Sequence, residues 1–208
     1  MSVIRRLPRY YRFIGELVNQ GIVRISSGEL AKRMSVTASQ IRQDLNCFGG
    51  FGQQGYGYNL IELRAEIGKI LGINQQHKTI LIGAGNLGAA IGAGMSFRKY
   101  GCKLIGIFDN DQKKQSEVIA GLRVKGMDKL GEFCAAEKPI MAVLCIPESA
   151  AHELADTLTG LGIRAFWNFS HYDLKLSHKD IIVENVHLGD SILTLSYEIM
   201  NDTQSSAD

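Results

Sequence analysis

Residues 83 to 88 read Gly-Ala-Gly-Asn-Leu-Gly, and Asp109 stands 21 residues after the last of these glycines. This is the spacing of a dinucleotide-binding turn. Gly83 permits the tight turn, Gly85 lets the backbone approach a pyrophosphate, and Gly88 lets the following helix pack closely on the preceding strand. Asn86 and Leu87 would offer their N–H groups to the anion at the start of that helix, and Ala84 is counted with them among the cofactor-binding residues. A carboxylate at Asp109, with Asn110 beside it, can accept both adenosine ribose hydroxyls. It would also repel a 2′-phosphate, which favours NAD(H) over NADP(H).

Other candidates for chemistry are fewer. His171 is the imidazole nearest the same sheet edge, and a dehydrogenase would want a proton-transfer group there. No partnering carboxylate or arginine motif accompanies it, so no catalytic residue is assigned. The four cysteines, Cys47, Cys102, Cys134 and Cys145, contain no CxxC pair, and the five histidines form no HExxH cluster. Neither a zinc site nor a disulfide framework is expected. Cys145 lies in the apolar run 141–146 and reads as a buried thiol.

The elements that must position these groups follow from the pattern. The run Thr79-Ile80-Leu81-Ile82 precedes the glycine motif, an Ala/Gly-rich helical stretch follows it, and a second β-like run, 103–108, ends at Asp109. A helix near 128–137, a strand 140–146 closed by Pro147, a helix 149–161 and a strand 163–169 continue the alternation. That order implies an α/β domain with a doubly wound, mostly parallel sheet of the Rossmann type. Ligands in such sheets lie at the carboxyl ends of strands, which nominates Ile146, Pro147, Asn168 and Phe169 for the nicotinamide side. Asn168 could instead be a turn residue.

Some eighty residues precede this domain, and their charge differs. Residues 1 to 76 carry ten Lys/Arg against five Asp/Glu, while 77 to 208 carry thirteen against sixteen. A compact positive module suits a polyanion. Leu7, Tyr10, Tyr11, Ile14, Leu17 and Val18 line one face of a helix. Ser26-Ser27-Gly28-Glu29 and Thr37-Ala38-Ser39-Gln40 then have capping-box spacing and start two short helices, a helix-turn-helix. Its second helix would point Ser39, Gln40, Arg42 and Gln43 at base edges and turn Ala38, Ile41 and Leu45 inward. A solvated polar face is the plain alternative. The glycine- and aromatic-rich segment 47–58 favours DNA, because it predicts a two-stranded wing with Gln53 and Gln54 at its tip and Tyr56 and Tyr58 beside them. A third helix, 60–71, leads to the nucleotide domain. At the other end, Leu188, Ile192, Leu195 and Ile199 make an apolar face too broad for a free tail. It must pack on its own domain or on a partner subunit.

Taken in order, 36–45, 48–58, 83–88, Phe108-Asp109, Trp167-Asn168-Phe169 and 183–186 resemble the Rex family of bacterial redox-sensing repressors. The resemblance spans nearly the whole chain. It implies a homodimer with winged-helix DNA-binding domains, Rossmann domains that bind NAD(H), and a C-terminal helix swapped between subunits. It also implies release from a two-fold DNA operator when NADH rises. In the family an arginine, matched by Arg12, pairs with an aspartate that adjoins a phenylalanine at the start of the swapped helix. A tyrosine takes over that aspartate when NADH binds. Here His187 and Leu188 stand at the Asp-Phe positions and Gly94 at the tyrosine, so this exchange lacks its usual groups. Gln43, Gln53 and Gln54 stand where the family often has basic residues.

The expected organisation is a winged helix-turn-helix domain at 1–76, an NAD(H)-binding domain at 77–185 and a dimerisation helix with tail at 186–208. No run reaches the roughly 18 apolar residues of a membrane span, and the basic start lacks a signal peptide's apolar core, so a cytoplasmic protein is expected. The rival readings are a small NAD-dependent oxidoreductase, a CoA-binding Rossmann domain, and a DNA-binding protein whose nucleotide is only structural.

Overall fold

The computed structural model describes residues 3–49, 51 and 56–205. The chain separates into two units, Met1–Gln75 and Gln76–Asp208.

In the first unit α1 (Val3–Asn19) turns Leu7, Tyr10, Ile14 and Leu17 into a core. A short strand, β1 (Arg24–Ile25), leads to α2 (Ser27–Met34), and α3 (Ala38–Asn46) follows after three residues. The Ser26 hydroxyl accepts the Glu29 N–H at 3.1 Å and the Thr37 hydroxyl accepts that of Gln40 at 3.1 Å, so both predicted caps form. The first box is half made, because the Glu29 carboxylate takes the Arg33 guanidinium at 2.7 Å. After the glycine-rich segment come β2 (Tyr58–Asn59) and α4 (Leu60–Ile70), the latter capped by Asn59. Leu30, Met34, Ile41, Leu45, Leu60, Leu63 and Ile67 complete the core. The wing expectation needs one refinement. The described partner of β2 is β1, antiparallel, with Arg24 opposite Asn59 and Ile25 opposite Tyr58. Gln53 and Gln54, the predicted wing tip, lie outside the described residues.

The second unit is a sheet with helices on both faces. It comprises β3 (His77–Ile82), α5 (Asn86–Gly94), β4 (Cys102–Asp109), β5 (Val118–Ile119), β6 (Leu122–Gly126), α6 (Leu130–Glu137) and β7 (Met141–Leu144). Then come α7 (Glu148–Gly160), β8 (Ala165–Asn168), α8 (Leu174–Ser177), β9 (Ile182–Asn185) and α9 (Leu188–Ser205). Among the described residues the strand order is β5-β6-β4-β3-β7-β8-β9, parallel except for the β5–β6 pair. The chain winds outward from β3 to β6, returns to β7 and winds outward again, so its direction reverses between β3 and β7. That is where such sheets bind ligands.

Alternation along the strands splits the core in two. Ile80 and Ile82 face Leu130, Cys134, Ala155 and Leu158 of α6 and α7, while Leu81, Ile107 and Val143 face Phe97 and Ile119. The hairpin β5–β6 and the edge strand β9 escape the sequence pattern. Each offers only a few residues, and the hairpin turns on Ala120 and Gly121, both at positive φ, as a tight two-residue turn requires. No described helix is long and apolar enough to cross a membrane.

Candidate nucleotide site and DNA-reading face

A cleft of about 440 Å³ opens at the reversal point, lined by Gly83, Gly85, Asp109, Asn110, Ile146 and Pro147 of the predicted set. The glycines differ in why they are needed. Gly83 has φ +94°, and a Cβ there would run into the Cys145 carbonyl. At Gly88 a Cβ would overlap the carbonyl oxygen of Gly83, so helix and strand meet only if the residue is glycine. At Gly85 a Cβ would find nothing within 4 Å. Gly85 also lines the cleft, so the space beside it is open to the cleft. Helix α5 begins there without a side-chain cap, which leaves its first amides, those of Asn86 and Leu87 among them, to an anion.

Asp109 ends β4 and organises the turn. One of its oxygens accepts the Ala84 N–H at 2.6 Å and the other accepts that of Asp111 at 2.8 Å. This fixes the carboxylate beside the glycine turn, at the edge of the cleft. The open space at Gly85, the uncapped helix start and the fixed carboxylate together fit a dinucleotide. The far wall is made by Met127 and by Ala150, Glu153, Leu154 and Thr157 of α7, which sequence reasoning missed. Their offsets of 0, 3, 4 and 7 mark one helix face, and that face was the available signal. Cys145 also lines the cleft, and burial pushes its thiol up to about 12, so it is neutral at physiological pH.

Three residues nominated for this edge of the sheet do not line the cleft. Asn168 is wholly buried and spent on the chain itself. Its amide donates to the Tyr172 carbonyl at 2.7 Å and to Asn185 at 2.9 Å, and its oxygen accepts from the Ser170 backbone and hydroxyl. It is the turn residue of the alternative reading, not a wall of the cleft. Phe169 packs edge-on against Trp167, with ring centroids 4.8 Å apart, and is not among the lining residues. His171, at φ +64°, faces His187, with their Nδ1 atoms 3.0 Å apart.

In the first unit, Ser39, Arg42 and Gln43 are exposed on one face of α3 and Gln40 is half-buried. Asn46 continues that exposed face one turn on, and sequence reasoning omitted it. Ile41 and Leu45 point inward as expected, and Ala38 packs at the core's margin. Arg42 donates to the Ser27 hydroxyl at 3.1 Å, which ties it to the first residue of α2. Arg12 is exposed on α1, and Tyr56 is 71% exposed. Tyr58 is a correction. It is 8% exposed within the core, because its place in β2 turns it inward.

Residues 1–46 match the family model "Putative DNA-binding protein N-terminus", and 74–172 match "CoA binding domain". The chain is 53% identical over 199 residues to the redox-sensing transcriptional repressor Rex of Caldanaerobacter subterraneus subsp. tengcongensis, covering 96% of this chain and 88% of that one. It is 46% identical to Rex of Clostridium botulinum, strain Eklund 17B, covering 96% and 94%. The chain belongs to the Rex family. Among solved structures it is similar to RSP in complex with β-NAD⁺ and operator DNA, with a TM-score of 0.90, 49% identity, and coverage of 99% of this chain and 95% of that one. A second RSP structure, with β-NADH, gives 0.89 and 47%, covering 99% and 96%. The Rex relatives are named as transcriptional repressors, and the winged-helix and Rossmann reading holds across both units.

Against the Rex background the last helix stands out. Leu188, Ile192, Leu195 and Ile199 of α9 are all more than half exposed, as are Leu193, Tyr197 and Met200. Of the two possibilities left by the sequence, this structure does not bury that face on its own domain. Gly94 closes α5 at an exposed position where a Cβ would meet nothing within 4 Å. His187, one residue before α9, is engaged by His171 of its own unit, the rings near-parallel with centroids 5.1 Å apart.

Proposed function

We propose that this Rex-family chain is a homodimeric repressor that reads a two-fold operator with paired α3 helices and lets go of it when NADH occupies the cleft at Gly85. The observation that carries the reading is the union in one chain of an exposed polar face on α3 and a glycine-lined cleft ending in Asp109. Ser39, Gln40, Arg42 and Gln43 would address base edges, with Arg12, Tyr56, Gln53 and Gln54 nearer the backbone or minor groove. Gly83 to Gly88 would hold the pyrophosphate, Asp109 and Asn110 the adenosine ribose, and Ile146 and Pro147 the nicotinamide end. The exposed apolar stripe of α9, with Leu188, Ile192, Leu195 and Ile199, would be buried by the second copy, which also supplies the second α3.

The cofactor is read and not turned over. Ionisable groups along the described cleft are Asp109, Glu153 and the neutral Cys145, while His171 is turned to His187. A protein with this task works beside DNA, in the cytoplasm. Control is by linkage: a nucleotide that prefers the arrangement with misplaced recognition helices weakens DNA binding by its differential affinity for the two states. A tenfold effect corresponds to about 1.4 kcal/mol.

The test is fluorescence anisotropy with the operator duplex of the RSP relative, at fixed salt, with NAD⁺, NADH or neither. Tight binding that NADH weakens at least tenfold is expected. Binding indifferent to both nucleotides would leave the DNA reader but remove the switch, and no binding would favour an oxidoreductase. The match of 74–172 to a CoA-binding model makes CoA the competitor to include. Displacement of NADH by CoA at equal concentration would overturn the NAD(H) assignment.

A further inference from the structure

The most buried charge of the DNA-binding unit sits on the inner face of the recognition helix. Asp44 is 2% exposed, yet it is ionic and lies between Ile41 and Leu45, which fill the core. The first helix satisfies it completely. Arg6 donates from Nε at 2.7 Å to one oxygen and from a terminal nitrogen to the other, and the Tyr10 hydroxyl donates at 2.7 Å. Three residues further along from Arg6, Arg9 donates to the Met34 carbonyl at 2.7 Å, where α2 ends and the turn into α3 begins. Helix α1 therefore grips the helix-turn-helix at two points one turn apart. Apolar contact alone would let α3 roll or slide by a fraction of an ångström at little cost. A bidentate guanidinium–carboxylate pair is directional and does not.

We infer that Asp44 is a positioning residue of the DNA reader: held by Arg6 and Tyr10, it fixes the angle at which α3 presents Ser39, Arg42 and Gln43. The inference rests on the reading of α3 as the DNA-contacting helix. Asp44 touches no DNA itself. Its removal should spare binding that needs only positive charge and damage binding that needs side chains in register with base edges. A merely structural role predicts otherwise. A buried ion pair can be exchanged for apolar residues of similar volume without loss of stability, and a purely structural pair so exchanged would leave discrimination intact.

The experiment measures affinity for the RSP operator duplex and for a scrambled duplex of equal length, with the salt dependence of each. It compares the wild type, Tyr10→Phe, and the double variant Arg6→Met with Asp44→Leu. Tyr10→Phe keeps the ring in the core and removes one hydrogen bond, so the chain still folds. The expected result is a fall in the operator-to-scrambled ratio of about threefold for Tyr10→Phe and at least tenfold for the double variant. Scrambled-duplex affinity and its salt slope should stay unchanged, since no phosphate contact is lost. Wild-type discrimination in both variants would overturn the inference. A wild type that binds both duplexes alike would remove the reading beneath it, a result distinguishable from the first.

Discussion

The two units prepare for their ligands in opposite ways. The helical unit offers side chains: Ser39, Arg42 and Gln43 project from a helix whose inner face carries Asp44. The sheet unit offers backbone, because at Gly83 and Gly88 a side chain would collide with main-chain carbonyls and at Gly85 the chain is open to the cleft. A surface built from side chains can be altered one residue at a time with graded results. A site built from backbone tolerates almost nothing at the positions that shape it, yet its walls can vary widely. Substitutions in the two units should therefore fail differently.

The sharpest contrast lies within the glycine motif. Gly88→Ala would drive a methyl group into the Gly83 carbonyl, which belongs to the turn and has no flexible end to move aside. The expected cost is at the upper end of overpacking effects, about 3 kcal/mol or more, and a fall in melting temperature large enough to impair folding of the sheet unit. Gly85→Val places its Cβ in open space instead. Its melting temperature should stay within a few degrees of wild type, while NADH affinity, followed by cofactor fluorescence, drops at least tenfold, or about 1.4 kcal/mol. A Gly85→Val protein that binds NADH normally would break the comparison, since the space would then serve no ligand.

Much of this was legible in the sequence because it rests on local rules. The glycine spacing, the strand before it and Asp109 after it are fixed by one βαβ unit, and the two caps at Ser26 and Thr37 depend on neighbours three residues away. What stayed hidden depends on residues distant in the chain. Asp44 finds Arg6 across 38 positions, and nothing in the stretch around it distinguishes a buried carboxylate from a solvated one. The ionisable face of the cleft behaves likewise: Glu153 reaches it only because β3 and β7 are neighbours in the sheet. Asn168 was misplaced for a related reason. A strand's carboxyl end points toward the ligand edge, but the turn that follows consumes the side chain. Tyr58, likewise, pairs with a strand that precedes the helix-turn-helix, and that pairing turns it inward.

Acid offers a graded test of the side-chain half. The Arg6 guanidinium holds the Asp44 carboxyl below its ordinary 3.8, against burial, which opposes it, and with help from Tyr10. A carboxyl whose folded pKa is depressed contributes stability that is present above the unfolded pKa and lost as pH falls through the folded value. The helical unit should thus keep this contribution down to about pH 4, the unfolded carboxylate range, and lose it below that. Acid unfolding followed by circular dichroism should show a transition that Asp44→Asn shifts or removes, with the variant less stable than wild type at neutral pH. An acid transition identical in wild type and variant would mean that Asp44 is not the group being titrated.

The smallest effect sharpens the comparison inside the helical unit. Ser26 and Thr37 make the same bond, one hydroxyl accepting one amide at 3.1 Å, at the starts of α2 and α3. Replacing either with alanine should cost about 1 kcal/mol of stability, the usual worth of such a cap. Their effects on DNA should separate. Thr37 holds the first turn of α3, where Ser39 and Gln40 emerge, and fraying there moves the residues proposed to address bases. Ser26 begins the supporting helix and carries no base-reading side chain. Thr37→Ala should lower operator affinity severalfold in anisotropy while Ser26→Ala leaves it near wild type, with equal losses in melting temperature. Equal losses in affinity as well would mean that stability alone governs the reader, and that the precise aim of α3 contributes nothing measurable.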